Sequence, residues 1–377
     1  MALRTQRAEQ EPRAGDRRGA REQRAPDPAV ATLLQLQRGA GNQAVARVLA
    51  RRTQKPPPST GMRAGGAIGD YVRKAVIFLR NNPDAQLHHF ARFLGAAANT
   101  ELERLGVPDM KVRIDHGGKG GAHFDAELWE MYIDADGFTH RDGVTTLGQL
   151  TEDEAAIIAM SVYHEARHAE QRFRVARLQA GEGAPLGFRM DEDAAKAAAA
   201  KPLDKRATPA HELREAEAWR TNQMGDDALY REVVTQWQGD VTTYAKLARG
   251  VADEDGPEPS EVHERIGRVL KGWAKPDHAM DVVRKHLPSA QKRRNATIIA
   301  DITLIDERFT AAEAEWKALP AQPGRGDFAA LAEALRQLVR AINGAYRNQP
   351  IEKDAYEAGG ATFDAFHKEL AKRPAAG

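Results

Sequence analysis

The sequence predicts a mainly α chain with a small antiparallel β-sheet, an α+β fold, and three observations predict it. Alanine is abundant while aromatic residues make up only 6% of the 377 positions. That composition suits closely packed helices better than a thick β core. Long stretches repeat apolar residues at helical spacing, and one short region, residues 110–135, alternates in the manner of strands.

The length suffices for one large domain or two ordinary ones. Lys+Arg number 55 against Asp+Glu 54, so no global field pulls the chain toward nucleic acid or an anionic membrane. The absence of cysteine excludes disulfides and thiolate metal sites, leaving His, Asp and Glu as the only metal donors. It also fits a chain made in a reducing cytoplasm. The first residues contain no apolar run of signal-peptide length, and no later stretch reaches a membrane span. The expectation is a protein that is cytoplasmic as synthesised and that, if exported, travels without a cleaved signal.

In chain order, residues 1–28 form a basic N-terminus with too little apolar surface to order itself. Residues 29–52, within "PAVATLLQLQRGAGNQAVARVLARR", fit two short amphipathic helices hinged at Gly39-Ala40-Gly41. Residues 53–66, "TQKPPPSTGMRAGG", read as a linker. The main domain spans 67–370. It opens on the helical segments "IGDYVRKAVIFLRNN" and "DAQLHHFARFLGAAANTELERLG". "MKVRID", "AHFDAEL" and "EMYIDA" then alternate as strands around a glycine-rich turn and Trp129. Thr151 and Glu154 make a capping box that starts a helix running to about Leu178. A loop with the low-complexity "DAAKAAAAK" follows, and from Pro209 onward the chain reads as a long helical insertion broken at "DEDGPEP", "LPAQPGRGD" and "RNQPIE".

The chemistry concentrates in "VYHEARHAEQRF", residues 162–173. His164 and His168 stand four apart, so a helix presents both imidazoles on one face, where they can share a metal ion. Glu165 sits beside them, placed to take a proton from water. An apolar stripe of Ile158, Val162, Ala166, Ala169 and Phe173 borders that face. Arg167 inside the motif allows a second reading, a salt-linked surface of His164, Glu165, Arg167, His168 and Glu170.

A metal site needs a third ligand, and two later segments offer one. In "YRNQPIEKDAYEAG", Pro350 starts a helix and puts Glu352 in its dipole-favoured first turn. In "HELREAEAWRTN", Glu215 is the alternative, though Arg214 and Arg220 are ready partners for it. His211 and Tyr230 are candidate transition-state donors, with nothing to choose between them.

"HEARHAEQ" followed far downstream by "NQPIEKDAY" resembles the gluzincin arrangement of zinc metallopeptidases, on His164, Glu165, His168, Gln171, Pro350, Glu352, Asp354 and Ala355. The resemblance covers about residues 67–370. It implies a zincin-like hydrolase that binds Zn²⁺ through two histidines and a distant Glu, with Glu165 as general base. It also implies a peptide or protein substrate aligned on an edge strand. Arg167 and the long spacing to the second Glu depart from better-known members. Separately, "LLQLQRGAGNQAVARVLARR" is similar to an element of actinobacterial proteins linked to extracellular contractile injection systems, matching at Leu36, Gln37, Arg38, Gly41, Asn42, Ala44 and Val45. That likeness implies an effector or toxin cargo whose residues 29–52 meet the injection particle. Read as a plain helical hairpin, the segment packs on the main domain instead.

Other motifs carry less. "GGKGGAH" lacks P-loop spacing and reads as a turn. The paired histidines of "QLHHFARF" fit a half-buried helix face, and "QKRRNA" is too short a basic run to imply nucleic acid. The competing function is a non-catalytic helical scaffold whose metal site is degenerate or absent.

Overall fold

The computed structural model describes residues 60–115, 121–134, 136–139, 143–225, 227–253 and 256–372. The expected N-terminal tail and the helical element at 29–52 lie outside them. Two helices open the fold, α1 (Gly65–Asn81) and α2 (Leu87–Arg104). Three strands follow, β1 (Lys111–Asp115), β2 (Gly121–Asp125) and β3 (Glu130–Asp134). Then come α3 (Glu152–Gly181), the short α4 (Glu192–Ala200) and α5 (Ala210–Met224). The insertion supplies α6 (Ala228–Ala252), α7 (Pro259–Trp273), α8 (Ala279–Lys292), α9 (Ala296–Ala318) and α10 (Phe328–Asn348). The last helix is α11 (Pro350–Leu370).

The α+β expectation holds, but the sheet is mixed and not antiparallel. Its order is β1-β3-β2, with β2 antiparallel and β1 parallel to β3. The physical reason is burial. β3 carries the fully buried Met131 and Ile133, whereas the other two strands are half exposed. Placing β3 in the centre pairs both of its edges and covers both of its faces. β2 is thereby an edge strand.

Helix α3 begins on the expected box: the Thr151 hydroxyl accepts from the Glu154 amide, and the Glu154 carboxylate accepts from the Thr151 amide at 2.8 Å. Its stripe of Ile158, Val162, Ala166, Ala169 and Phe173 is buried, packing with Tyr71, Phe90, Leu94 and Phe366 in a core shared by α1, α2, the sheet, α3 and α11. Helix α11 lies close on α3 because its contact face is small: Ala355, Ala358 and Gly359. A Cβ at Gly359 would stand 3.2 Å from Met160 and 3.5 Å from His164. Helices α6 to α10 build a separate core around Trp237, Phe309, Phe328 and Leu335.

Among the described residues, packed structure begins before the expected boundary at Ala67. Residues 61–63 form a 3₁₀ turn, and Met62 is completely buried. Gly61 has φ +61°, and any Cβ there would collide with Glu170, so only glycine passes. The segment read as linker is thus, from Thr60 onward, packed against α3.

Candidate metal centre

His164 and His168 enter from one face of α3, one turn apart, with their Nε2 atoms 3.1 Å from each other. Pro350 opens α11, tolerated at a position whose N–H has no helical acceptor, and Glu352 falls in the first turn. Glu352 Oε2 lies 3.4 Å from His168 Nε2 and 3.8 Å from His164 Nε2. The three donor atoms lie within 4.8 Å of one another, a spacing that could hold a metal ion. Zinc bonds of about 2.0–2.2 Å in a tetrahedron place donors roughly 3.3–3.6 Å apart, close to what is seen.

The carboxylate of the trio is sheltered. Glu352 Oε2 is buried and makes no hydrogen bond of normal geometry among the described residues. Burial would raise its pKa, yet His168 and His164 hold the carboxyl far below the usual range. Burial likewise disfavours a charged His168, and the Glu352 carboxylate outweighs it, pushing the imidazole up to about 9. Carboxylate and imidazole thus each favour the charged form of the other.

Gln171, one turn on, orients His168. Its Nε2 donates to Ile351 O at 2.9 Å and to Asp354 Oδ2 at 2.7 Å, so its Oε1 must face His168 Nδ1, 2.8 Å away. His168 therefore donates from Nδ1, and its Nε2 faces the site, where a metal ion would take the place of the Nε2 proton.

Arg167 is not part of a solvated surface, contrary to the salt-linked expectation. The side chain is completely buried and joins the two helices of the site. Its Nε donates to Asp354 Oδ2 at 2.7 Å, its Nη1 pairs with Glu170, and its guanidinium lies 5.0 Å from the centre of the Trp219 ring. Asp354 also accepts from Arg63 at 2.8 Å, and Glu170 from the Met62 amide at 3.0 Å. Burial opposes ionised Asp354, but Arg167 and then Arg63 keep its carboxyl below the usual range. The motif's arginine is thus a fastener between α3, α11 and residues 60–63.

Glu165 stands beside the trio without belonging to it. Its Oε1 is 3.8 Å from His164 Nε2, and its Oε2 accepts from the Phe124 amide of edge strand β2 at 2.9 Å. The alternative ligand Glu215 is engaged elsewhere: it accepts from the Thr60 hydroxyl at 3.1 Å and pairs with Arg174 at 3.5 Å. The geometry brings Glu352 and not Glu215 to the histidines.

Neither expected donor joins the trio. Tyr230 is buried in the second core, stacked on His286 at 5.1 Å, and His211 has no hydrogen bond or ion pair to it. Two other tyrosines do. The Tyr356 ring meets His164 edge-on at 4.5 Å while remaining 38% exposed, at the mouth of the site. Tyr346 is also coupled to Glu352: burial and that carboxylate raise its pKa strongly. A signal was present for Tyr356, four residues after Glu352 and so on the same helix face. Tyr346 precedes the Pro350 break, and no periodicity links it to the site.

Comparison with protein-family models, with curated proteins and with solved structures gives no match.

Proposed function

We propose that the protein is a zinc-dependent peptide hydrolase with His164, His168 and Glu352 as ligands. The observation that carries this reading is the position of Glu165, which touches both the donor trio and the backbone of an edge strand. Zinc in such a site supplies Lewis acidity, polarising a carbonyl oxygen and making water easier to deprotonate. Glu165 takes the proton from the attacking water and passes it to the leaving amine. The Phe124 amide steadies the carboxylate for that task. An extended substrate adds to the outer edge of β2 next to the Phe124–Glu165 contact, which sets its scissile carbonyl beside Glu165. Tyr356, whose ring packs on His164, is assigned as donor to the developing oxyanion.

The test is Glu165→Gln. A glutamine oxygen can still accept from the Phe124 amide, so the fold and the zinc are retained. Peptide cleavage falls about 10³-fold. Full cleavage in this variant removes the general-base role, and with it the proposal.

A further inference from the structure

One helical turn beyond His168, the same face of α3 carries Arg172. Its Nη1 donates to Gln223 Oε1 at 2.8 Å, and its guanidinium lies 5.1 Å from the centre of the Phe188 ring. Arg231, from the first turn of α6, lines the same open cleft of about 400 Å³, whose wall includes the end of edge strand β2. The cleft shares Phe124 with the site, since the Phe124 amide donates to Glu165 at 2.9 Å.

These two arginines lack what arginines this sheltered normally have. Neither forms an ion pair with a carboxylate among the described residues. Arg231 Nε and Gln223 Nε2 are buried donors without hydrogen-bond partners. Burial, and then repulsion from Arg231, pushes Arg172 down to about 10. The acids in the cleft are committed elsewhere. Asp125 accepts from the Glu127 and Leu128 amides at the hairpin turn, and exposed Glu127 faces exposed Arg189 at 3.7 Å. Like charges held together in a half-buried cleft, with donors unsatisfied, call for an anion.

We infer that this cleft is a specificity pocket for a carboxylate of the substrate, an Asp or Glu side chain or a chain-terminal carboxylate, seated between Arg172 and Arg231. The inference rests on the peptide-hydrolase reading and names its substrate class. Guanidinium forks bind carboxylates in two-pronged fashion, and hydrogen bonds to a charged partner separate Glu from Gln by about 10- to 100-fold.

Two measurements test it. In the first, wild type digests a proteome-derived peptide mixture and the cut sites are read by mass spectrometry. Acidic residues are enriched at least tenfold at one fixed position from the cut, or cuts fall at a fixed distance from the C-terminus. Those two results separate the side-chain from the terminal carboxylate. In the second, the same mixture passes over immobilised Glu165→Gln protein, and the retained peptides are enriched in the same feature. Arg231→Gln removes the enrichment in both. Arg172→Lys, which keeps the charge and loses the fork, reduces it and guards against a folding failure of the first variant. Zinc content and circular dichroism are checked for each. Cut sites without acidic preference, or a preference that survives Arg231→Gln, overturn the pocket. If wild type holds zinc and cuts nothing, the hydrolase reading fails. The pocket then stands or falls on whether retained peptides lose their acidic enrichment in Arg231→Gln.

Discussion

The two cores of the main domain bury different chemistry. Around α3 and α11 the interior holds Arg167, Glu170, Gln171, Glu352 and Asp354, all below one-tenth exposed. Among helices α6 to α10 the interior is aromatic and aliphatic, with Trp237 meeting Trp273 and Phe309 edge-on or tilted. The buried acids there, Asp227 and Asp301, pair with His286 and Asn348. Buried ion pairs are seldom more stabilising than apolar packing of the same volume. A region that keeps these five buried polar and charged side chains together therefore keeps them for positioning, whereas the insertion serves mainly as packing.

The largest expected effects come from cutting each core once. Arg167→Met leaves Glu170 and Asp354 without their shared cation and costs about 3–5 kcal/mol in urea denaturation. Phe309→Ala in the insertion leaves a cavity and costs about as much. The variants separate on metal: Arg167→Met also weakens zinc binding, because Asp354 and Gln171 hold the His168 ring, whereas Phe309→Ala does not. Equal zinc affinity in the two would erase the distinction between the cores.

A smaller effect is pH-dependent. Asp354 has a folded pKa below its unfolded value, since Arg167 and Arg63 outweigh burial. The unfolded chain then binds the extra proton as the solution is acidified, so the stabilisation is complete above the unfolded pKa of about 3.9. It is lost as pH falls through the folded value. The stability gap between wild type and Asp354→Asn is therefore flat above about pH 5 and narrows below it. A gap that widens on acidification contradicts the ion-pair account. Smallest of all is Glu215→Gln, whose partners Arg174 and Thr60 form a partly exposed contact at one edge of the cluster. Its cost is under about 1 kcal/mol, with zinc binding unchanged; loss of zinc here reopens the ligand assignment.

What could be read from the sequence was local. The Thr151–Glu154 box, the histidine pair and the Pro350–Glu352 helix start depend on spacings of two to four residues, and each sits where its spacing put it. Partners distant in sequence were not legible. Arg167 reads as a surface charge until Asp354, 187 positions away, is seen to pair with it. The parallel pairing of β1 with β3 is hidden because neighbouring strands invite a simple meander. Residues 60–66 look like linker because a left-handed glycine and a loose one are indistinguishable in sequence. The basic cleft is hidden for the same reason: Arg172 and Arg231 are ordinary charges until the fold brings them to one cleft.

Counting zinc decides whether His164, His168 and Glu352 hold a metal. Wild type, His164→Ala and Glu352→Gln are purified, dialysed against buffered zinc and measured by elemental analysis. About one equivalent is expected in wild type, and binding weakened at least tenfold in both variants, with circular dichroism unchanged. Less than about a tenth of an equivalent in wild type, or full occupancy in Glu352→Gln, would contradict it.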